Sequence, residues 1–194
     1  KEFSMIEFCK FKLRAGNLSY VNNELSTLDL LSLNPNQRKE VSDILFKLNR
    51  FEEYLELTGS EILSGVYSHR SLTMHFYALS KSGENARIKE EYGKLRRYND
   101  WKPKNRAILA IVGYDFGLST DYIEELELCI MMEPVRCDIA VLVIRAFLEL
   151  ERIDIAHHFF RKSAIISQRD PQITELGWKI YNVLRDLRLD PVKI

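Results

Sequence analysis

Residues 139–165, "IAVLVIRAFLELERIDIAHHFFRKSAI", decide the fold that this sequence predicts. On both sides of the polar segment 149–152, apolar residues recur three and four positions apart, which places them on one face of an α-helix. Phe147 closes the first apolar run, and Ala156 and Phe160 lie in the second. The stretch therefore predicts two helices that are joined by a short polar turn and pack against each other.

The same pattern occurs four more times earlier in the chain, in residues 8–28, 41–57, 71–95 and 108–130. One inward position early in each second helix is predicted at Val21, Tyr54, Ala86, Leu126 and Ala156, with separations of 33, 32, 40 and 30 residues. Helical hairpins that recur about every 34 residues are typical of tetratricopeptide repeats. We therefore predict an all-α fold, a right-handed α-α superhelix of about five tetratricopeptide-like hairpins followed by a final helix in "TELGWKIYNVLRDL".

The length of 194 residues fits a single domain, which we place at residues 5–190. Residues 1–4 are interpreted as an expression remnant before a natural start at Met5. The long third interval contains "RRYNDWKPKN", where Pro103 disfavours helical geometry at Lys102, so we expect a loop or a short extended arm there.

Composition excludes several classes of protein. The 28 basic and 28 acidic residues balance, so no overall charge attracts nucleic acid or anionic lipid. Three cysteines without a CxxC pair favour reduced core thiols in a reducing compartment. No apolar run approaches the length of a membrane span, and no secretory signal is visible.

The neighbouring His157 and His158 are the first candidates for chemistry. Consecutive helical residues point about 100° apart, so this pair does not bind one metal ion from one face. We predict that Ala156, Phe159 and Phe160 face inward and that His157 faces outward. No nucleophile elbow, dinucleotide motif or phosphate loop is present, so we expect no enzyme, no cofactor, no metal and no small-molecule substrate.

A basic segment offers an alternative function, single-stranded RNA binding through phosphate contacts and base stacking. Its cations are Lys94, Arg96, Arg97, Lys102, Lys104 and Arg106; Tyr98 and Trp101 lie among them, and Asp100 opposes them. The competing interpretation, which we favour, is a helix carboxyl end whose cations suit the helix dipole, followed by a solvated loop.

The main predicted site is a groove for another polypeptide, lined by first-helix side chains that the packing between repeats does not use. The predicted lining residues are Lys39, Asp43, Phe46, Lys47, Ser71, His75, Leu79, Ile111, Asp115, Val141, Arg145 and Leu148. The final helix either caps the array or offers an apolar strip, with Leu176, Ile180 and Tyr181, for docking a partner.

The region from Ile139 to Val183 resembles the coatomer epsilon subunit family. The matching places are held by Leu150, Arg152, Ile153, Asp154, Ala156, Pro171, Thr174, Leu176 and Trp178. The segment "KLRAGNLSYVNNELSTL" is similar to the opening of that family. Members continue for several more repeats after the tryptophan helix, so the resemblance implies a shortened version or a fragment.

The resemblance also implies a function. It suggests a noncatalytic subunit of the coat on Golgi-to-endoplasmic-reticulum vesicles, which holds the carboxyl-terminal region of the coatomer alpha subunit. Such a protein is cytoplasmic and peripheral to Golgi membranes and coated vesicles, with membrane association only through the coat.

Overall fold

The computed structural model describes residues 2–98, 102–131, 136–166 and 170–186, and these residues form helices without any strand. The all-α prediction is confirmed for this part of the chain. A short 3-10 helix, Leu30–Ser32, lies between the second and third α-helices. The α-helices are α1 (Glu2–Arg14), α2 (Leu18–Ser26), α3 (Pro35–Lys47), α4 (Phe51–Leu63), α5 (His69–Lys81), α6 (Asn85–Tyr98), α7 (Pro103–Asp115), α8 (Tyr122–Met131), α9 (Cys137–Glu149), α10 (Ile153–Ile166) and α11 (Pro171–Asp186).

The first helices of the hairpins recur with a regular period. The helices α3, α5, α7, α9 and α11 begin at positions 35, 69, 103, 137 and 171, which are evenly spaced. Tetratricopeptide repeats have this period, about 34 residues. Local sequence fixes these starts. Pro35 and Pro103 occupy the first turns of their helices, and the side chains of Asn34 and Ser68 form capping boxes with Gln37 and Ser71.

Each hairpin turn contains one residue in the left-handed conformation. These residues are Gly16, Asn49, Gly83, Gly117 and Glu151. In the fifth turn, Glu151 N–H donates to the Leu148 carbonyl at 3.2 Å and Arg152 N–H donates to the Phe147 carbonyl at 2.8 Å. The same pair of bonds closes the other four turns. It is the Schellman pattern, which satisfies the last carbonyls of the first helix and reverses the chain.

The predicted interval of 40 residues between the third and fourth copies is too long, because the inward position of the third copy is wrong. Ala86 is exposed, and the inward position in α6 is Ile88, two residues later. In the fourth hairpin, α8 begins five residues after Gly117, whereas the other second helices begin two residues after their turn residue. The segment before Pro103 is only residues 99–102; Lys102 has the predicted extended backbone, and residues 99–101 lie outside the described ranges.

The chain separates into two compact units, residues 1–91 and 92–194, with the boundary inside α6. In unit 1, α3 packs against α1 and α4, and α4 packs against α5. In unit 2, α9 is central and contacts α7, α8, α10 and α11. Phe147 and Phe159 stack there with their ring centroids 6.2 Å apart, and both are fully buried. The expectation of one domain over residues 5–190 stays a prediction.

The three cysteines are free thiols, as the sequence predicts. Cys9 and Cys129 are buried, whereas Cys137 is half-buried at the start of α9.

Candidate polypeptide-binding surface

The first helix α3 presents the predicted surface residues to solvent. Lys39 and Lys47 are exposed, and Asp43 and Phe46 are half-buried. They follow one another four, three and one residues apart, so they form a stripe along one side of the helix. The opposite side, with Val41, Ile44 and Leu45, is buried in the core of unit 1.

Two of the predicted residues on α5 are wrong. His75 and Leu79 are completely buried, because the sequence register of this helix was set two residues too early. Since the first helices begin at a constant interval, the counterparts of Lys39, Asp43 and Lys47 are Thr73, Tyr77 and Lys81. Tyr77 and Lys81 are exposed and Thr73 is half-buried. The third predicted residue, Ser71, is half-buried.

Two predicted residues of unit 2 are also wrong. Ile111 and Val141 lie in the buried cluster of unit 2. At these positions of the repeat, α7 and α9 have apolar side chains that pack into the cluster, whereas α3 has the polar Asp43 and Lys39. Asp115 and Arg145 are exposed, and Leu148 is half-buried. The accessible part of the predicted surface in unit 2 is therefore narrower than in unit 1.

A groove of about 790 Å³ lies in unit 1 between α3 and α5, and we call it the α3–α5 groove. It contains three of the predicted residues, Lys39, Asp43 and Ser71. Residues of α4 and of the loop before α5 complete it, and its apolar lining includes Leu57, Ile62, Val66 and Met74. None of these four is a predicted lining residue: Leu57 and Ile62 lie on the second helix α4, Val66 lies in the loop before α5, and Met74 lies on α5 beside the predicted positions.

A second groove, of about 750 Å³, lies on the other side of α3 and is called the α1–α3 groove. Lys39 and Asp43 line both grooves and therefore form the ridge that separates them. Lys47, Lys10 and Arg14 also line the second groove. Its lining is more polar than that of the α3–α5 groove.

Two tyrosines with buried side-chain parts line the α3–α5 groove, Tyr54 and Tyr67. The Tyr67 hydroxyl is buried and has no hydrogen-bond partner among the described residues. The Tyr54 hydroxyl lies 3.5 Å from the Ser71 carbonyl, at the outer limit for a hydrogen bond. Burial raises the pKa of Tyr54 to about 12 and raises the pKa of Tyr67 as well, so both phenols are neutral donors at pH 7.

An aromatic cluster connects the three helices around the groove. Phe46 of α3 has its ring centroid 5.3 Å from that of Tyr54 and 5.6 Å from that of Tyr77. Phe51 of α4 contacts Phe46 and Tyr77. The Lys81 ammonium lies 5.1 Å from the Tyr77 ring centroid. The cluster packs α3 and α5 against α4, and Tyr77 stays partly exposed.

A buried ionic network lies behind this surface, between α5 and α6. Nε2 of the fully buried His75 lies 2.7 Å from Glu91, and the Arg87 guanidinium contacts the same carboxylate at 2.6 Å. Burial alone favours a higher pKa for Glu91, but its bonds with His75 and Arg87 outweigh this and lower the pKa. Because the imidazole is sealed inside the unit, this network supports packing and is not open to a ligand.

The other two histidines of interest have different surroundings. The predicted outward orientation of His157 is wrong, since this side chain is 6% exposed and burial lowers its pKa. His158 is the more exposed of the pair, and its Nε2 lies 2.8 Å from Glu127. Ala156 and Phe159 are buried as predicted, and Phe160 is half-buried. Within the described ranges, no group of three His, Cys, Asp or Glu side chains is placed to hold a metal ion.

The basic segment of unit 2 is partly neutralised by Asp121, which directly precedes α8, and by Glu125 of α8. The Arg96 guanidinium lies 3.0 Å from Asp121 and also contacts Glu125. Arg106 lies 3.9 Å from the same, buried Glu125. Arg97, Lys102 and Lys104 are exposed, while Asp100, Trp101 and the Tyr98 side chain lie outside what the structure describes.

On the final helix, the predicted docking residues Leu176 and Ile180 are wrong. Both are buried against α9 and α10 in the core of unit 2. Tyr181 does not lie with them but is exposed, and it forms an edge-to-face pair with the exposed Trp178 at 6.1 Å. One side of α11 therefore covers the core, and the other side carries two aromatic rings in solvent.

Among the described helices, none combines the length and apolarity needed to cross a bilayer. In comparisons with known proteins, no family model matches the chain, and neither a curated protein nor a solved structure matches it.

Proposed function

We propose that this chain is a noncatalytic scaffold that holds a segment of another polypeptide on the first-helix surface of unit 1. The observation that carries the proposal is the pair of grooves on either side of α3, with Lys39 and Asp43 on the ridge between them. A channel with an apolar lining and a polar rim suits a peptide, because side chains enter the channel while charged groups fix the orientation. The constant interval between first helices supports a tetratricopeptide-like array and a right-handed superhelix.

The sequence resemblance suggests which polypeptide this is. We propose the carboxyl-terminal region of the coatomer alpha subunit as the partner, in the coat on Golgi-to-endoplasmic-reticulum vesicles. This choice depends on the resemblance of residues 139–183 to the coatomer epsilon family. The groove geometry supports peptide binding in general.

The structure favours a polypeptide over RNA as the partner. Arg96 and Arg106, two of the cations in the basic segment, face the carboxylates of Asp121 and Glu125 and are less available to phosphates.

A displayed peptide library tests the general proposal. The full chain is immobilised, bound peptides are recovered, and their footprint is mapped by hydrogen exchange. We expect recovered peptides to slow amide exchange in α3 and in the loop before α5. Recovery of no peptide above background, or a footprint confined to unit 2, contradicts the proposal.

The named partner has its own test. The chain is mixed with the purified carboxyl-terminal region of the coatomer alpha subunit, and the mass of the product is measured by light scattering after size exclusion. A complex that is lost when Lys39 is changed to Glu supports the coat assignment. Two separate peaks exclude this partner, and the general proposal then depends on the library experiment.

A further inference from the structure

We propose that the exposed side of α11 is the interface for a second copy of this chain, and that the two α11 helices pack antiparallel around Trp178 and Tyr181. The interface lies in unit 2, so it does not depend on the function proposed for unit 1. The occupant follows from the repeat, from the groove beside the two rings and from the charges of α11.

The repeat shows that the exposed side of α11 corresponds to a packing surface. Trp178 and Tyr181 are the eighth and eleventh residues of α11 and are 66% and 46% exposed. The residues at the same two places in the earlier first helices are all buried: Ser42 and Leu45 in α3, Phe76 and Leu79 in α5, Ala110 and Gly113 in α7, and Ile144 and Phe147 in α9. In the hairpins of α3, α7 and α9 the second helix contacts the first, and within the described ranges no helix follows α11. The surface therefore suits another helix.

A groove of about 460 Å³ lies beside the two rings, between α10 and α11. The Phe160 ring lines it and lies against Gly177, where an added Cβ would meet the ring at 2.5 Å. Ala164 of α10 also lines the groove. An aromatic ring of the second copy can enter this space, and buried aromatic rings contribute much of the binding energy at protein interfaces.

The charges of α11 favour a second copy in the antiparallel orientation. Each helical residue turns about 100°, so Glu175, Tyr181 and Arg185 all lie within about 60° of Trp178. Glu175 precedes the two rings and Arg185 follows them. An antiparallel copy therefore places Glu175 of one chain opposite Arg185 of the other, and twofold symmetry repeats this contact at the other end. A parallel copy places like charges together, which is unfavourable.

Both charged residues have neighbours on their own helix. Lys179 lies 2.7 Å from Glu175, and Asp186 lies 3.4 Å from Arg185. These pairs are exposed, and such pairs contribute little to stability, so they do not prevent a contact across the interface. In the antiparallel dimer the four side chains alternate in sign, from Lys179 through Glu175 to Arg185 and Asp186 of the second copy.

The dimer should be weak, because a single pair of helices is a small interface. We expect a Kd of roughly 50 µM at low salt. At about 1 µM the chain is then monomeric, and denaturation at that concentration measures the stability of the monomer.

Sedimentation equilibrium of the full chain tests the inference. As the concentration rises from about 1 to about 300 µM, the mean mass should increase from that of one chain toward twice that value, with one chain at 22.8 kDa. Added salt should weaken the dimer, because it screens the contacts between Glu175 and Arg185.

One substitution in the aromatic pair and one matched control locate the interface. Trp178→Glu should raise the Kd of the dimer at least about tenfold, since it places a charge among buried rings. Leu128→Glu introduces the same charge at an exposed apolar residue of α8 and should leave the Kd unchanged. Both positions are exposed in one chain, so both variants should keep the circular dichroism of the wild type.

Charge reversal tests the orientation of the two helices. Glu175→Arg and Arg185→Glu should each raise the Kd about fivefold, because each places like charges together at both ends of the interface. The double variant has both charges reversed and should return to within about twofold of the wild type. A role of either residue within one chain does not predict this recovery.

The outcomes are distinct. A mass of one chain at every concentration overturns the inference, and so does a dimer that Trp178→Glu leaves intact. A double variant that dimerises no better than the single ones overturns the antiparallel arrangement. If the chain stays monomeric but binds a synthetic peptide of residues 153–166, the sequence of α10, and Trp178→Glu abolishes this binding, the occupant is a helix of another protein and the second copy is wrong. None of these results affects the peptide binding proposed for unit 1.

Discussion

Glu151 occupies a backbone conformation that glycine holds in three of the four other hairpin turns. Its φ of 57° lies in the left-handed region, which costs a residue with a side chain roughly 1–2 kcal/mol. Glycine avoids that cost but loses more entropy on folding, about 0.5–1 kcal/mol. We therefore expect Glu151→Gly to raise the free energy of unfolding by roughly 0.5 kcal/mol in urea denaturation.

The matched control for this prediction is Gly117→Ala in the fourth turn. An added Cβ meets no atom within 4 Å, so backbone strain is its main cost. This variant should be about 1 kcal/mol less stable than the wild type. A destabilising Glu151→Gly together with a neutral Gly117→Ala contradicts the assigned turn geometry.

Phe159 anchors the core of unit 2, and truncation tests that placement. The side chain is fully buried and stacks on Phe147. Phe159→Ala should cost about 3–5 kcal/mol, since it leaves a cavity that the surrounding helices fill only in part. Chemical denaturation measures the loss, and a variant as stable as the wild type shows that the ring is not in the core.

His157 makes stability depend on pH. Burial lowers its pKa below the ordinary 6.5, with a smaller contribution from Arg161. Between 6.5 and the lower folded-state pKa, the unfolded chain binds a proton that the folded chain does not, so stability falls as the pH drops through this window. We expect His157→Leu to lose less stability than the wild type between pH 7.5 and pH 5 in urea denaturation. An identical pH dependence in the two proteins contradicts the prediction.

At the residue scale, sequence predicts packing better than orientation. Ala156 and Phe159 are buried because apolar residues at helical spacing form one face, which packs against neighbouring helices and away from water. The repeat register predicts that His157 faces outward, yet residues 155–157 of α10 are all buried, and an imidazole is tolerated there when neutral. The burial of His75 depends on Glu91 and Arg87, which lie on a different helix and are not visible as a local motif.

At the element scale, a comparison of equivalent positions on α9 and α11 shows what each helix contacts. Ile144 and Trp178 lie equally far from the first residues of their helices and so hold the same place in the period, but Ile144 is fully buried and Trp178 is 66% exposed. On α9 this side is covered, whereas on α11 no described residue covers it to the same extent. Ile144→Ala should therefore cost about 2–5 kcal/mol, and Trp178→Ala less than about 0.5 kcal/mol.

Thermal or urea denaturation of the two variants checks this pair. A large loss of stability in Trp178→Ala shows that the outer side of α11 is covered in solution. Equally small losses in the two variants show that position 144 of α9 is not as buried as the structure has it. Tyr181, which is 46% exposed, provides a second substitution on the same side of α11.

The order of the helices could be predicted from the sequence, but the register within them could not. All five predicted hairpins are present, because a polar turn between two apolar runs is a strong local signal. The error of two residues in α5 and α6 arose because apolar residues lie on several sides of each helix in a stack. Pro35, Pro103 and Pro171 are evenly spaced, with two repeat periods between neighbours. Each is the first residue of a first helix, so their spacing gives the correct repeat register.

At the scale of the whole molecule, the open polar stripe of a first helix lies in unit 1, and the large apolar cluster lies in unit 2. Unit 2 contains the large apolar cluster, in which Ala107, Ile111 and Val141 replace the polar stripe of α3. Unit 1 keeps that stripe open and flanks it with two grooves. The predicted surface was therefore distributed too evenly along the chain, because a repeat pattern alone does not show which hairpins use first-helix positions for packing.

This division predicts that unit 2 folds without unit 1. Helices α7 to α11 contact their near neighbours in sequence, and each contributes to one buried cluster around Phe147. In arrays of this kind, stability is approximately a sum of contributions from hairpins and their nearest-neighbour interfaces, so removal of unit 1 leaves most interactions of unit 2 in place.

The fragment 92–194 should be helical by circular dichroism and unfold cooperatively in urea, with a free energy of unfolding of roughly 5 kcal/mol. The same fragment with Phe159→Ala is the control and should lose its cooperative transition. A wild-type fragment that is already unfolded without urea shows that the cluster around Phe147 needs residues 1–91 to form.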